Sequence, residues 1–576
     1  MRRTLKTALL VTLLATLGAC SHKSTDSNPL AYVPADTAFV LAGLEPLTPA
    51  QRDTLLKPSN MQLPFMVSQW RWLADQLAQA KNNAASNLLR GIATELDGKT
   101  WQQFAADNGI ELFGHWAIYG VGLAPVYRGG LADAARFKAL LDRLDKAAGQ
   151  TPVQHSMGDF DYRTIALANS KLSVFVAVEG SQIVMTVAPD SIQPALLARI
   201  LGATPPRASL ADSERLQKLA SSRGYLPNMV GVVDTKALLQ AAFNADPYAQ
   251  AMYDAIRKQA GKSPAPLPAA TPACREDAAR IAARLPEISA GFTTLEPRHV
   301  AQRVNIALAP DIIKAFGGVN ATLPGLGLST VDAPLAFALL TPFKQMQQFW
   351  SDQARAVAAK PFTCKPLLPL NAGIAALSSK LPLLSIPPMD TLLGIRVVID
   401  RFGNLFNTSD RATGFSATLV AASTDPAAIL KQLQGFQPNL ASIQLAADGK
   451  PVALPSAVAA AAGGQAWMAM TDSAIGVAFG AGEDSRLAKA MAAPAGKSGA
   501  LGRGHLNGRE LAGVFRDMID DTLAKASSSL PPAKVAELKQ QMQGSWEAMA
   551  RVERLDTRLR MGPNGLVADS DTDWHD

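Results

Sequence analysis

Hydrophobic and polar positions along the chain alternate between short strand-like runs and amphipathic helical segments, after an apolar N-terminal stretch. Residues 8–17 are apolar and uncharged, a length typical of a signal h-region and about half that of a membrane-spanning helix. Farther along, Phe137, Leu140, Leu141 and Leu144 recur at helical spacing and predict one apolar helix face. Beyond the N-terminal run, no stretch reaches ~18 uncharged apolar residues, so no other membrane span is expected.

Several of these runs recur later in the chain in the same order, which predicts an internal duplication. The segment from Asp36 matches the segment from Asp332, 296 positions later, and Phe175 matches Trp467 at an offset of 292. Three further matches begin at Asp133 and Asp425, Gly231 and Gly504, and Leu295 and Met561.

Each copy is predicted to contain strands in pairs that are separated by helices. Asp133, Asp425, Asp234 and Asn507 are expected to cap helix N-termini, and residues 179–181 and 471–473 to form hairpin turns. The pattern predicts an α+β fold of two tandem copies, with mainly antiparallel sheets covered by helices on one face. The predicted segments are a signal peptide (1–19), a flexible tether (20–31), a first copy (32–330) and a second copy (331–576).

Composition adds limits on the possible partners. Hydrophobic residues make up 48% of the 576 residues, which excludes global disorder. The formal net charge is +7, and loss of the signal segment with Arg2, Arg3 and Lys6 lowers it to +4. The remaining cations are scattered, so we expect no nucleic-acid partner.

The residues that follow the apolar run form a short motif, Leu17-Gly18-Ala19-Cys20. It resembles the lipobox of bacterial lipoproteins, in which an aliphatic and two small residues precede the lipid-bearing cysteine. The resemblance implies cleavage between Ala19 and Cys20, with diacylglycerol on the Cys20 sulfur and acylation of the new amine. Such a group anchors a protein firmly to a lipid bilayer.

The residue after Cys20 bears on location. In the lipoprotein family an aspartate there tends to retain the protein at the inner membrane, so Ser21 favours the outer membrane, where we expect the chain to face the periplasm. The turn that begins at Pro34 and includes Asp36 resembles the entry to the first strand in a domain-of-unknown-function family of bacterial envelope proteins. That resemblance implies no activity and no site residues.

Two cysteines remain once Cys20 carries lipid, namely Cys274 and Cys364. An even remainder in an oxidising compartment predicts a disulfide between them, with two buried free thiols as the alternative. Neither cysteine has a Cys-x-x-Cys partner or a nearby histidine, so a catalytic or metal-binding role is not expected.

Catalytic signatures are missing from the sequence, and we expect no cofactor, no metal and no catalytic residue. His155, near two aspartates, could act as a general base, but it precedes a predicted hairpin turn. Alternating carboxylates at 569–573 resemble part of a calcium loop but lack its glycine and closing glutamate, which indicates a strand with an acidic face.

These observations favour a membrane-anchored, periplasm-facing lipoprotein that binds or scaffolds an unknown component of the cell envelope without being an enzyme. A carrier or chaperone for an apolar ligand such as a lipid is the alternative, and it predicts an apolar pocket. A hydrolase is the third hypothesis, and it requires a nucleophile, a base and an orienting group in one cleft around His115, His155 or His299.

Overall fold

The computed structural model describes residues 19–20, 28–79, 83–149, 153–167, 171–244, 246–266, 271–319, 322–328, 331–380, 382, 387–402, 415–461, 464–497, 499–526 and 531–575. The chain divides into two compact units. Unit 1 comprises Met1–Arg303 and Gln540–Ala548, and unit 2 comprises Val304–Lys539 and Met549–Asp576. Helices and antiparallel strands are mixed throughout, which confirms the predicted α+β class.

The described strands are, in chain order, β1 (Ala19–Cys20), β2 (Phe39–Gly43), β3 (Leu112–Phe113), β4 (Trp116–Val121), β5 (Ala124–Gly130), β6 (Val153–Met157), β7 (Phe160–Leu167), β8 (Leu172–Glu179), β9 (Gln182–Pro189), β10 (Val230–Asp234), β11 (Glu287–Glu296), β12 (His299–Ala307), β13 (Leu335–Leu340), β14 (Leu392–Phe402), β15 (Phe415–Ser423), β16 (Val452–Ala453), β17 (Ala466–Met470), β18 (Ala474–Phe479), β19 (Ala500–Leu506), β20 (Val552–Gly562) and β21 (Gly565–Trp574).

The described α-helices are, in chain order, α1 (Pro49–Gln79), α2 (Asn83–Leu96), α3 (Trp101–Asp107), α4 (Ala134–Ala148), α5 (Pro194–Leu201), α6 (Leu210–Ser213), α7 (Arg215–Arg223), α8 (Thr235–Phe243), α9 (Pro247–Gln259), α10 (Pro272–Arg284), α11 (Pro310–Gly317), α12 (Phe343–Ala359), α13 (Leu368–Lys380), α14 (Pro426–Phe436), α15 (Ser456–Ala461), α16 (Glu483–Met491), α17 (Gly508–Ala526) and α18 (Pro532–Ala550).

Helix starts follow the capping residues that the sequence contains. The Asp133 side chain accepts hydrogen bonds from two backbone N–H groups of α4, and Asp425 accepts one from α14. Asp234 caps α8 and Asn507 caps α17 in the same way, so all four predicted caps are confirmed. α4 ends at Gly149, whose φ of 66° is a left-handed conformation that suits glycine.

Hydrogen-bond pairing in unit 1 gives one antiparallel sheet with the strand order β11-β10-β2-β4-β5-β9-β8-β7-β6. The predicted hairpin around residues 179–181 is confirmed, because β8 and β9 are joined by Gly180 and Ser181. Gly180 takes a φ of 55°, which permits the tight turn.

Helices cover both faces of the unit 1 sheet, whereas the sequence predicted coverage of one face. Tyr119 and Val126 pack with α5, α6 and α7, while Tyr127 and Val176 pack with α1 to α4 on the opposite side. The reason is that these strands carry apolar residues at consecutive positions, so both faces of the sheet require cover.

Pairing in unit 2 gives the antiparallel strand order β21-β20-β19-β13-β14-β15-β18-β17-β16. On one face of this sheet Val420 and Ala478 pack against Leu487 of α16. On the other face Met468 and Ile475 pack against α14 and α15. The helices α14 and α15 cover that face only near β17 and β18.

Candidate functional site

The uncovered part of the unit 2 sheet is an uncharged surface, which we call the open face. It lies on the strands β19, β13, β14 and β15, along three rows of residues whose last members, on β18, are covered by α14 and α15. Successive residues of each row pair across neighbouring strands. The rows are Gly504, Phe337, Val397, Leu419 and Val477; Gly502, Leu339, Ile395, Ala421 and Ile475; and Leu506, Leu335, Ile399, Ala417 and Phe479.

Large apolar side chains on the open face are accessible to solvent. Phe337 and Leu339 are each 42% exposed, and Leu419 is 39% exposed. The sheet of unit 1 has a row of the same kind, which consists of Gly231, Leu41, Ile118, Tyr127 and Met185. There, Tyr127 is only 3% exposed, because α1 to α4 cover it. Adjacent exposed apolar side chains of this kind are typical of interaction surfaces.

Three helices of unit 2 also expose apolar side chains. Neither α12 nor α13 contains a buried residue, and α13 has no charged residue before Lys380. Leu368 and Leu377 of α13 and Phe436 of α14 are exposed. Among the described helices, none combines the length and the apolar character that crossing a bilayer would require.

The covered face of the unit 2 sheet holds a pair of buried carboxyl groups, Asp400 and Glu483. Asp400 lies at a register shift of β14, which is typical of a bulge that redirects a side chain. Glu483 begins α16 and accepts hydrogen bonds from Ser416 (2.7 Å) and Thr418 (3.3 Å). Burial raises the pKa of Asp400 to about 6, the nearby Glu483 raises it as well, and the Arg486 guanidinium opposes the rise.

A second buried polar group on that face surrounds Asp556 of β20. Its Oδ1 lies 3.1 Å from Nδ1 of His505 and 3.5 Å from Nη2 of Arg503, and its Oδ2 lies 3.4 Å from Nε of Arg554. Burial alone would raise the pKa of Asp556. The hydrogen bond from His505 and the charges of the neighbouring cations outweigh burial and hold that pKa below its usual value.

The helices of unit 1 form a small, open cleft of about 280 Å³. It lies between α2 and α4 and is lined by Asn87, Arg90, Gly91, Thr94, Glu95, Arg143, Leu144 and Ala147. Arg143 spans it with two hydrogen bonds to Glu95, of 2.7 and 3.1 Å. Five of its eight lining residues are polar or charged, whereas the carrier hypothesis predicts a closed apolar pocket.

The predicted lipidation motif lies largely outside the described residues, which exclude Leu17 and Gly18. Ala19 and Cys20 form β1, whose backbone pairs in parallel with β3. Cleavage between them and lipidation of Cys20 stay predictions.

The predicted disulfide is confirmed. Cys274 lies in the first turn of α10, and Cys364 precedes α13. Both are disulfide-bonded, and the described residues contain one cysteine pair at disulfide distance.

The histidines considered for catalysis lie in separate places. His155, on β6 of a confirmed hairpin, stacks on Tyr162 and lies 3.2 Å from the Thr164 hydroxyl. His115 is exposed beside β4, and His299 begins β12. The described residues give His505 only one hydrogen-bond partner, Asp556. This histidine therefore has an orienting carboxylate, and within the described part of the chain no hydroxyl or thiol is seen to hydrogen-bond to it.

The acidic C-terminal segment is strand β21, as the sequence predicted. Its carboxylates form ion pairs with arginines of β20, among them Arg558 with Asp571 and Arg560 with Asp569, both at 3.5 Å. The alternation of arginines on β20 opposite the aspartates of β21 is the sequence signal that could have revealed this pairing, and Asp556 with it. Within the described part of the chain, no group of three or more His, Cys, Asp or Glu side chains is arranged to hold a metal ion.

Comparisons with known proteins returned no match, whether to protein-family models, to curated proteins or to solved structures.

Proposed function

We propose that this chain is a lipid-anchored binding protein of the bacterial cell envelope that holds an apolar partner on the open face of unit 2. The observation that carries the proposal is the exposure of Phe337, Leu339 and Leu419 on an uncharged sheet face. Desolvation of such side chains favours association with another apolar surface. The anchor is Cys20, at the periplasmic face of the outer membrane, and this part of the proposal rests on the lipobox resemblance and on Ser21.

The proposal includes a tandem duplication, with copies at residues 32–330 and 331–576. Both sheets have the same strand order around β2 and β13 respectively. The strand register also supports the duplication. In each unit, a row of cross-strand partners can be followed over five strands, and the first and last residues of the two rows are pairs that match in the sequence alignment. The rows are Val40, Tyr119, Val126, Thr186 and Phe175 in unit 1, and Ala336, Val398, Thr418, Ala478 and Trp467 in unit 2.

Duplication would explain why one apolar face is covered and the other is not. In unit 1 the face that contains Tyr127 is the base of a helical layer. In unit 2 the same face is covered only toward β17 and β18. A scaffold that was copied with its apolar face intact, but without the full helical layer, leaves a site that a separate molecule can occupy.

The partner that we favour is an apolar segment of another envelope protein. An alternative is an acyl chain, and the uncharged open face and the uncharged leucine-rich start of α13 fit it as well. The two hypotheses predict different crosslinked molecules at the open face, a protein in the first case and a lipid in the second.

Site-specific photo-crosslinking in intact cells tests the proposal. Benzoylphenylalanine at Phe337 or Leu419 should give a protein adduct of defined mass, and a lipid adduct in mass spectrometry would instead favour the carrier. The matched control is the same group at Lys489, an exposed residue of α16, which packs on the opposite face. Equal crosslinking from all three positions, or none from the open face, would overturn the proposal.

A further inference from the structure

A row of residues on the covered face of the unit 2 sheet contains two buried arginines. Arg503 of β19 pairs with Ala338 of β13, which in turn pairs with Arg396 of β14. All three are buried. Residues two strands apart in a sheet lie about 10 Å apart at their Cα atoms. Ala338 between them packs against Leu323 and Leu326, and the two guanidinium groups are close enough for the charge of Arg503 to act on Arg396.

Arg396 has a terminal guanidinium nitrogen without an acceptor in the described part of the chain. It is 8% exposed, and its buried Nη1 has no hydrogen-bond acceptor among the described residues. The Arg396 guanidinium lies against the backbone of Gly325, whose φ of 86° favours glycine. Burial lowers the pKa of Arg396, the charge of Asp400 opposes this, and the charge of Arg503 lowers it further.

The corresponding row of unit 1 contains a buried arginine whose two terminal nitrogen atoms both have acceptors, although its Nε has none within the described chain. It runs through Val230, Ala42, Ala117 and Arg128. Arg128 donates to the Gln182 side chain at 2.9 Å and to the backbone oxygen of Leu201 at 2.7 Å. Its guanidinium also stacks on Tyr32, 3.6 Å from the ring centroid.

Unit 2 places arginines where unit 1 has Val230 and Ala117, so the sheet itself does not require them. A buried cation without an acceptor is strongly unfavourable, and native structures provide either a counter-charge or a bound ion. Asp556 provides a counter-charge for Arg503, and the two side chains lie 3.5 Å apart. Asp400, the acidic group on the strand of Arg396, is engaged with Glu483 and Arg486.

We propose that Arg396 and Arg503 bind a small oxyanion of the phosphate type on the covered face of the unit 2 sheet. Two guanidinium forks match the oxygen atoms of a tetrahedral anion. The site is separate from the open face, which lies on the other side of the same strands, so neither proposal depends on the other.

Binding of inorganic phosphate to the mature chain, made lipid-free by Cys20→Ser, tests this site. Titration calorimetry should show saturable binding of phosphate, and sulfate should compete, whereas chloride at equal ionic strength should not. Phosphate should also raise the melting temperature, since it binds only the folded state. No binding of phosphate or sulfate by this protein would overturn the proposal.

Substitutions assign the binding to the two arginines. Arg396→Met should weaken phosphate binding at least tenfold and abolish the thermal shift, and Arg396→Lys should keep part of both. The control is Arg128→Met, which removes a buried arginine with acceptors and should lower the melting temperature while the phosphate response persists. An unchanged phosphate affinity in Arg396→Met, or equal losses in the Arg396 and Arg128 variants, would contradict the assignment.

Discussion

The buried carboxyl groups of Asp400 and Glu483 share one guanidinium, that of Arg486, on the covered face of the unit 2 sheet, with side chains that are 6% and 2% exposed. Arg486 contacts Asp400 and lies 3.7 Å from Glu483. Two neighbouring buried carboxylates cannot both ionise without cost, and burial together with the charge of Glu483 raises the pKa of Asp400.

Asp400 should therefore make the protein less stable as the pH rises. Its pKa of about 6 in the folded protein exceeds the value of about 4 in an unfolded chain, so its destabilising effect grows between pH 4 and 6 and persists above. Asp400→Asn should raise the free energy of unfolding at pH 8 by about 2–3 kcal/mol and leave it nearly unchanged at pH 4. Urea unfolding at the two pH values measures this difference.

The matched control for Asp400→Asn is Asp472→Asn, in the exposed turn between β17 and β18. It should change stability little at either pH. A stability gain in Asp400→Asn that is equal at pH 4 and pH 8 would show that the carboxyl pair does not share a proton.

Asp556 should have the opposite pH dependence. Its pKa is held below the usual value, so its ionised form stabilises the fold above about pH 4, and this contribution is lost as the pH falls through the folded pKa. Asp556→Asn leaves buried cations without their counter-charge and should cost about 3–5 kcal/mol at pH 7. Chemical unfolding as a function of pH should show the difference from wild type shrinking in acid.

A rim residue of the same sheet provides the comparison for Asp556. The side chain of Asp571 is 24% exposed and lies 3.5 Å from Arg558. Asp571→Asn should cost less than about 1 kcal/mol, because solvent screens that pair. Similar losses in the two variants would contradict a special role for the buried carboxylate.

The disulfide between Cys274 and Cys364 should contribute strongly to stability. It closes a loop of about 90 residues, which in the chain-entropy model corresponds to about 4–5 kcal/mol. The double variant Cys274→Ser/Cys364→Ser should unfold at lower urea concentration than the oxidised protein and should not respond to reductant. Non-reducing peptide mass spectrometry should detect the crosslinked pair in the wild type, and two alkylatable thiols there would refute it.

Lipidation at Cys20 is tested independently of the fold. Labelled palmitate should enter the wild-type protein in cells, whereas Cys20→Ala should remain unlabelled and leave the membrane fraction. Replacement of Ser21 by Asp should shift the labelled protein from the outer to the inner membrane fraction. Equal labelling of wild type and Cys20→Ala would remove the anchor from the proposed function.

Much of the local structure was predictable from the sequence, because it depends on residues close together in the chain. Asp133 and Asp425 cap their helices through backbone groups two or three residues away. The hairpins at 179–181 and 471–473 depend on turn residues between two apolar runs. The pairing of Cys274 with Cys364 followed from a count, since only two cysteines remained.

Only the tertiary structure decided which apolar surfaces are covered and which buried polar groups meet. The run Leu335–Leu340 is apolar at every position, which indicates a strand that is covered on both faces. Yet Phe337 lies on the open face, because cover depends on the placement of distant helices. The contact between Ser416 and Glu483 joins residues 67 positions apart. Register across the sheet likewise brings Arg396 and Arg503 into one row, a relationship that no local sequence pattern encodes.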